Sequence, residues 1–167
     1  MQESGTAFIV SSETIRKPQR NMTAPPALLD LDQFLPYRLS RLSNRISQQI
    51  ASTYVERFDL SVTEWRVMAV LGRFPGLSAN EVAERTAMDK VAVSRAVARL
   101  VEGGRLRRDV AEDDRRRSVL RLSAAGRRIY EQVAPEVLAT GSRLLGALEP
   151  GEQRQLIALL EKLEPGA

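Results

Sequence analysis

Basic and small side chains share one face of a short predicted helix over residues 89–104. Val93, Val97 and Leu100 follow one another at helical spacing, so they predict a buried stripe on the opposite face. The residues away from that stripe are Lys90, Ala92, Ser94, Arg95 and Arg99. A guanidinium group such as that of Arg95 can donate two hydrogen bonds to a guanine edge or to a phosphate. The exposed face therefore has the chemistry to bind a nucleic acid.

The same helix allows a plainer interpretation. Lys90, Arg95 and Arg99 could simply form a solvated helix face, which is common for basic residues on helices. In a nucleic-acid complex, Lys90 and Arg99 would contact phosphates at the two margins, while Ala92 and Ser94 would let the backbone approach a groove closely. The helix alone does not separate these alternatives.

A basic hairpin follows this helix. Leu106–Val110 and Ser118–Leu122 each read as a short strand, and three consecutive arginines lie in the turn between them. These tip residues are Arg115, Arg116 and Arg117. Asp114 stands two residues before Arg116, where it either orients that guanidinium or merely neutralises it. An arginine tip suits the minor groove of DNA, where the phosphates of both walls concentrate negative potential.

Charge and composition narrow the class of protein. Residues 105–121 hold seven arginines and four acidic residues, so this segment carries an excess of three of the chain's four net positive charges. This clustering favours nucleic acid over a membrane as the partner, because no amphipathic helix with aromatic residues adjoins the segment. The 167 residues include no cysteine and no histidine, and the carboxylates show no catalytic spacing. We therefore expect no enzyme, no catalytic residue, no metal ion and no cofactor.

Predicted helices surround these features. Apolar periodicity predicts a long helix over 31–58 and a second over 64–71, after Thr63. A third helix starts at Ser78, where Ser78 and Glu81 have capping-box spacing, and Asp89 is the candidate N-cap of the basic helix. Two short helices joined by a tight turn predict a helix-turn-helix when the second helix has a polar face opposite its buried face, as the helix over 89–104 does. The hairpin that follows adds a wing. The expected fold class is mainly α with a small β-hairpin wing.

The two ends of the chain differ in character. Residues 1–27 lack a sustained apolar period and have no basic region of a secretory signal, so they predict a flexible arm on a cytoplasmic protein. Residues 123–167 are helical again, with Ser123 as a cap and a break at Pro150-Gly151. We expect 59–122 to form the DNA-binding lobe. Residues 28–58 and 123–167 would then form a helical dimerisation region.

The segment 114–126 reads DRRRSVLRLSAAG. It resembles the wing pattern D-x-R-x-x-x-L-x-L-[ST]-x-x-G of the MarR (multiple antibiotic resistance regulator) family of winged-helix regulators and matches every fixed position. Residues 60–71 resemble the second helix of that family, and Val93-Ser94-Arg95 with Leu100 and Gly104 resembles its recognition helix. The resemblance extends from about Leu31 to Leu163.

The resemblance implies a homodimer on double-stranded DNA with a palindromic operator, usually a repressor, often released by a small phenolic or aromatic-acid ligand. It assigns minor-groove contact to Arg116, support of that residue to Asp114, and base or phosphate contacts to Ser94 and Arg95. The absence of cysteine excludes the reactive-cysteine mode of peroxide sensing known in the family.

The effector site is less defined by the sequence. Residues able to line a pocket between the dimerisation helices and the DNA-binding lobe are Tyr37, Arg38, Arg41 and Trp65. An arginine there could pair with the carboxylate of an effector, or the aromatic residues could be core or interface residues and the arginines solvated. The alternative to a DNA-binding regulator is a helical interaction protein whose basic hairpin docks on an acidic protein or on RNA.

Overall fold

A computed structural model describes residues 28–110 and 118–164, and those residues are mostly helical with one antiparallel hairpin. The helices are α1 (Leu35–Ala51), α2 (Val55–Phe58), α3 (Val62–Arg73), α4 (Ala79–Thr86), α5 (Lys90–Glu102), α6 (Ala124–Leu145) and α7 (Pro150–Leu163). The strands are β1 (Leu106–Val110) and β2 (Ser118–Leu122), with Leu106 opposite Leu122. The predicted fold class and both predicted strands are confirmed.

The hydrophobic core lies between α3, α4, α5 and the hairpin. Its fully buried side chains include Val67, Met68, Leu71, Val82, Val93, Val97, Leu100 and Leu120. The chain before α4 extends the sheet edge, because the Leu120 amide donates to the Leu77 carbonyl at 2.8 Å and the Gly76 amide donates to the Leu120 carbonyl at 3.0 Å. The hairpin is thereby fixed to the helices of the lobe.

Capping boxes start two of these helices. The Glu81 amide donates to Ser78 Oγ and the Ser78 amide donates to the Glu81 carboxylate, which confirms the predicted box. Ser61 and Glu64 form the same pair of bonds at the start of α3. The sequence interpretation placed the start of α3 after Thr63 and missed this second box, although Ser61 and Glu64 have the required spacing.

The predicted long helix over 31–58 is wrong. Helix α1 ends at Ala51, and the short α2 follows a three-residue break. In the break, Ser52 Oγ donates to the Gln49 carbonyl at 2.7 Å and Thr53 Oγ1 donates to the Ile50 carbonyl at 2.8 Å. Such hydroxyl groups compete with the backbone for helical carbonyls, so an apolar period can continue across a point where the helix stops. Asp59, with φ of 48°, then ends α2.

The predicted break at Pro150-Gly151 is shifted by several residues. Helix α6 ends at Leu145, and Pro150 is the first residue of α7. Proline is well suited to a first helical turn because its missing N–H would have no intrahelical partner there. Proline therefore marks the start of α7 here.

Helix α6 packs on the lobe through an aromatic stack. The Tyr54 and Trp65 rings lie 5.4 Å apart between centroids, and the Trp65 and Tyr130 rings lie 6.0 Å apart. A Cβ atom at Gly72 would lie only 2.4 Å from the Tyr130 ring. Glycine at this position in α3 is therefore required for α6 to approach so closely.

The start of α6 also contacts backbone directly. A Cβ atom added at Gly126 would lie 2.0 Å from the Arg105 carbonyl oxygen, whereas one added at Gly141, on the same helix, meets nothing within 4 Å. We expect Gly126→Ala to lower the free energy of unfolding by about 1–3 kcal/mol, because backbone must move to relieve the overlap.

The control, Gly141→Ala, should raise the free energy of unfolding by about 0.5–1 kcal/mol, since alanine is favoured over glycine inside a helix. Urea denaturation followed by circular dichroism measures both variants. Equal midpoints for Gly126→Ala and wild type would contradict this close contact.

Candidate nucleic-acid interface

Helix α5 is fixed at both ends. Asp89 is its N-cap, with its carboxylate accepting from the Ala92 amide at 2.9 Å. At the other end, Gly103 is the C-cap and Gly104 has a φ of +66°, which favours glycine. The predicted cap and the predicted termination by glycine are both confirmed.

The two faces of α5 differ sharply. Val93, Val97 and Leu100 are completely buried, as the spacing predicts, and Ala96 joins them. On the other side, Lys90, Ser94, Arg95 and Arg99 are exposed and Ala92 is half-buried. The structure thus brings the five predicted contact residues of this helix to one surface.

The basic side chains of α5 are electrostatically available. Within residues 28–110 and 118–164, no carboxylate lies within 4.0 Å of the charged groups of Lys90, Arg95 or Arg99. Arg95 and Arg99 are one helical turn apart, so both can reach the same stretch of a polyanion. A charge that is not already paired loses no internal ion pair when it binds a phosphate.

A cleft of about 310 Å³ lies between α5 and the start of α3. Thr63 and Ser61 line it on one side, and Arg95 and Arg99 line it on the other. The sequence interpretation did not include Thr63 among the contact residues. The Ser61–Glu64 capping box would have indicated it, because that box places Thr63 in the first turn of α3.

The wing begins directly after α5. Arg107 Nη2 and Arg121 Nε lie 3.5 Å and 3.4 Å from the same carboxylate oxygen of Asp109, in the body of the hairpin. The predicted tip residues Arg115, Arg116 and Arg117, and their predicted support Asp114, lie outside the described residues. Their roles stay predictions from the sequence.

The guanidinium of Arg105 is engaged within the protein. It donates to the carbonyls of Phe58 and Asp59 at the end of α2. Three of the seven arginines in residues 105–121, namely Arg105, Arg107 and Arg121, are thus engaged within the protein. The positive charge of this segment is less available to a partner than its composition indicates.

The four predicted effector residues do not meet in one pocket. Arg38 and Arg41 line a groove of about 370 Å³ along α1, and the Arg41 guanidinium lies 5.8 Å from the centroid of the Tyr37 ring. Trp65 is in the core instead, stacked between Tyr54 and Tyr130. Trp65 lies apart from that groove and packs as a core residue.

Tyr54, which stacks on Trp65 in the core, has a shifted pKa. Burial raises the pKa of Tyr54 above its usual value, and the nearby Arg66 guanidinium partly opposes this change. Arg66 Nη2 also donates to Ser47 Oγ at 2.8 Å, which connects α3 to α1. Tyr54 therefore stays protonated at neutral pH and acts as a neutral packing residue.

Residues 28–110 and 118–164 contain no group of three or more carboxylates able to hold a metal ion. In the same part of the chain, no helix combines the length and apolar composition needed to cross a lipid bilayer.

Comparison with known proteins agrees with this geometry. A model of the MarR family matches residues 58–117. An uncharacterized HTH-type transcriptional regulator from Bacillus cereus is 28% identical over 127 residues, which cover 75% of this chain and 84% of that protein.

Solved structures extend the comparison to the whole fold. A MarR/EmrR family transcriptional regulator from Acinetobacter sp. ADP1 is 27% identical, with a TM-score of 0.74 over 81% of this chain and 95% of the other. The PcaV transcriptional regulator from Streptomyces coelicolor, solved in complex with its natural ligand, is 26% identical, with a TM-score of 0.67 over 82% of this chain and 96% of the other.

The buried stripe and basic face of α5, followed by the hairpin, define a winged helix-turn-helix DNA-binding protein. The chain is similar in sequence and in fold to MarR family transcriptional regulators, and the match to the family model lies over residues 58–117.

Proposed function

We propose that this regulator is a homodimeric repressor that binds a palindromic operator through α5 and the wing. The observation that carries the proposal is the basic face of α5, which is exposed and free of ion pairs in the described part of the chain while its opposite face is completely buried. A helix held in this way can enter a major groove without losing core contacts. Transcription is repressed where the bound dimer covers a promoter.

The side chains of α5 have distinct roles in this proposal. Ser94 and Arg95 lie in the middle of the exposed face and contact base edges, with the half-buried Ala92 allowing close approach. Lys90 and Arg99, at the two ends of α5, contact phosphates. Thr63, across the cleft from Arg95, adds a hydroxyl donor for the DNA backbone.

The wing supplies a second set of contacts. Strands β1 and β2 lead into residues 111–117, whose sequence holds the three consecutive arginines. We assign Arg116 to the minor groove, Asp114 to its orientation, and Arg115 and Arg117 to the flanking phosphates. An operator read in two adjacent grooves is longer and more specific than one read by α5 alone.

The proposed dimerisation surface is apolar and exposed in the single chain. It includes a groove of about 620 Å³ between α1, α6 and α7, lined mainly by Leu42, Leu144, Leu145, Leu148, Leu156 and Leu159. Leu163 near the end of α7 remains 60% exposed. A large apolar surface of this kind is typical of a protein interface. A second copy of the chain is the occupant that a two-fold operator requires.

The first prediction from this proposal concerns Arg95. With upstream DNA that wild-type protein shifts specifically, Arg95→Ala should reduce the discrimination between operator and random DNA by about 1–3 kcal/mol, because a bidentate base contact is lost. Fluorescence anisotropy with labelled operator and random duplexes measures both affinities.

The control for Arg95 is Arg128→Ala, which removes an exposed arginine from α6 and should leave discrimination unchanged. A sequence-independent shift by wild-type protein, or preferential binding of RNA, would contradict the operator proposal. Equal discrimination by Arg95→Ala and wild type would contradict only the assignment of Arg95.

The second prediction concerns the dimer. Leu159→Glu places a carboxylate in the apolar groove, so the dimer should dissociate at concentrations where wild type is dimeric, because burying an unpaired charge is strongly unfavourable. Sedimentation velocity measures the change. Val110→Glu, at an exposed apolar residue of β1, is the control and should stay dimeric. A dimeric Leu159→Glu would place the interface elsewhere.

The third prediction concerns an effector. We propose a small aromatic acid or phenol, supported by the similar PcaV regulator solved with its natural ligand and by the arginine-lined groove on α1. Benzoate or salicylate should lower operator affinity of wild type at millimolar concentration. Cyclohexanecarboxylate, which has the charge without the ring, should do so less.

Arg41→Ala tests where that effector binds. This variant should bind operator normally and lose the response to the aromatic acid, because the guanidinium that pairs with the carboxylate is gone. An unchanged response in Arg41→Ala would exclude the α1 groove as the effector site.

A further inference from the structure

We infer that Arg105 is a positioning residue for DNA binding, which clamps the end of α2 to the exit of the recognition helix α5. The inference about DNA rests on the proposed function, and the clamp itself rests on the structure alone. Arg105 is half-buried and follows directly after Gly104. Its role thus differs from that of the exposed arginines on α5.

The side chain of Arg105 bonds to backbone at two points. Nη2 donates to the Phe58 carbonyl at 2.5 Å, and Nη1 donates to the Asp59 carbonyl at 3.1 Å. Within residues 28–110 and 118–164, no carboxylate lies within 4.0 Å of this guanidinium. The cleft around it nevertheless includes Glu64 and Glu102 among its lining residues. The guanidinium therefore bonds to backbone carbonyls although two glutamate residues line the same cleft.

The end of α2 needs such donors. Helix α2 has only four residues, and the left-handed conformation of Asp59 ends it. The carbonyls at a helix C-terminus have no intrahelical amide partners, so they are satisfied by side chains, water or other groups. Hydrogen bonds from a charged guanidinium are stronger than those from a neutral donor. Arg105 thus adds to the contacts that hold this short helix, which also include the ion pair of Arg57 with Glu136 of α6 and the packing of Phe58 on the core.

The backbone of Arg105 connects two more helices. Its amide donates to the Leu100 carbonyl of α5 at 2.8 Å, and its carbonyl accepts from the amide of Ser123, the N-cap of α6, at 3.0 Å. Ser123 Oγ also donates to the Gly104 carbonyl at 2.6 Å. One residue therefore joins α2, α5 and α6 within a few ångströms.

This junction lies between the proposed dimerisation helices and the recognition helix. Helix α2 follows α1 after a three-residue break, and α6 is followed by α7. Residues of α1, α6 and α7 line the apolar groove of the proposed dimerisation surface. A dimer must hold its two recognition helices about 34–36 Å apart to read successive major grooves. Loosening the clamp should therefore weaken operator binding without removing a phosphate contact.

The experiment compares Arg105→Ala with Arg108→Ala, which removes the same charge from an exposed position three residues later. Operator affinity is measured by anisotropy over a range of salt concentrations. Arg105→Ala should lose about tenfold in affinity with an unchanged slope of log K against log salt, because a lost phosphate contact would lower that slope by about 1. Arg105→Lys should fall between Ala and wild type, since an ammonium lacks the planar fork that reaches both carbonyls.

Amide hydrogen exchange on the free protein provides a readout that needs no DNA. Exchange at the amides of Phe58 and of Asp59, the C-cap of α2, should accelerate in Arg105→Ala and in Arg105→Lys, and stay as in wild type in Arg108→Ala. Circular dichroism shows whether each variant folds. If Arg105→Ala does not fold, Arg105→Lys is compared with Arg108→Ala and wild type instead.

Two results would overturn the inference. The first is a salt slope reduced by about 1 in Arg105→Ala together with full affinity in Arg105→Lys, which would make Arg105 a phosphate contact. The second is unchanged exchange at the end of α2, or unchanged operator affinity, in Arg105→Ala. If wild type itself shifts no DNA specifically, the proposed function fails, whereas the exchange comparison still decides whether the clamp exists.

Discussion

Burial of one face of α5 is the interaction on which the rest of the structure depends. Val93, Val97 and Leu100 are inaccessible to solvent, and burial of each such side chain stabilises the fold by about 1.5–3 kcal/mol. The helix is consequently unable to rotate about its axis without exposing them. This restraint is what keeps Arg95 and the other basic side chains directed outward, so the core determines the orientation of the surface that we propose to bind DNA.

The contacts of α6 extend that restraint beyond the lobe. Tyr130 stacks on Trp65 at the position where Gly72 leaves room, and the start of α6 contacts the Arg105 backbone, where Gly126 leaves room. Two glycines thus permit two close approaches, at separate points along one helix. One contact fixes α6 to α3, and the other fixes it to the backbone that follows α5.

The sequence predicted the elements that are defined by local patterns. The strands of the wing, the Asp89 cap and the Ser78 capping box depend on neighbouring residues, and each is confirmed. The prediction of one helix over 31–58 was wrong because apolar periodicity continues across a break made by side-chain hydroxyl groups. Periodicity reports which face is buried, but it does not report where the backbone bonds are interrupted.

The distribution of charge shows a second limit of the sequence. By composition, residues 105–121 hold most of the excess positive charge, and every arginine there counts equally. In the structure, Arg105 bonds to carbonyls of α2, while Arg107 and Arg121 share Asp109. The partners of Arg105, Asp59 and Phe58, are 46 and 47 residues away along the chain, a separation that no local pattern encodes. Some arginines of this segment therefore form bonds within the protein, and only the geometry separates them from the arginines that we propose to contact DNA.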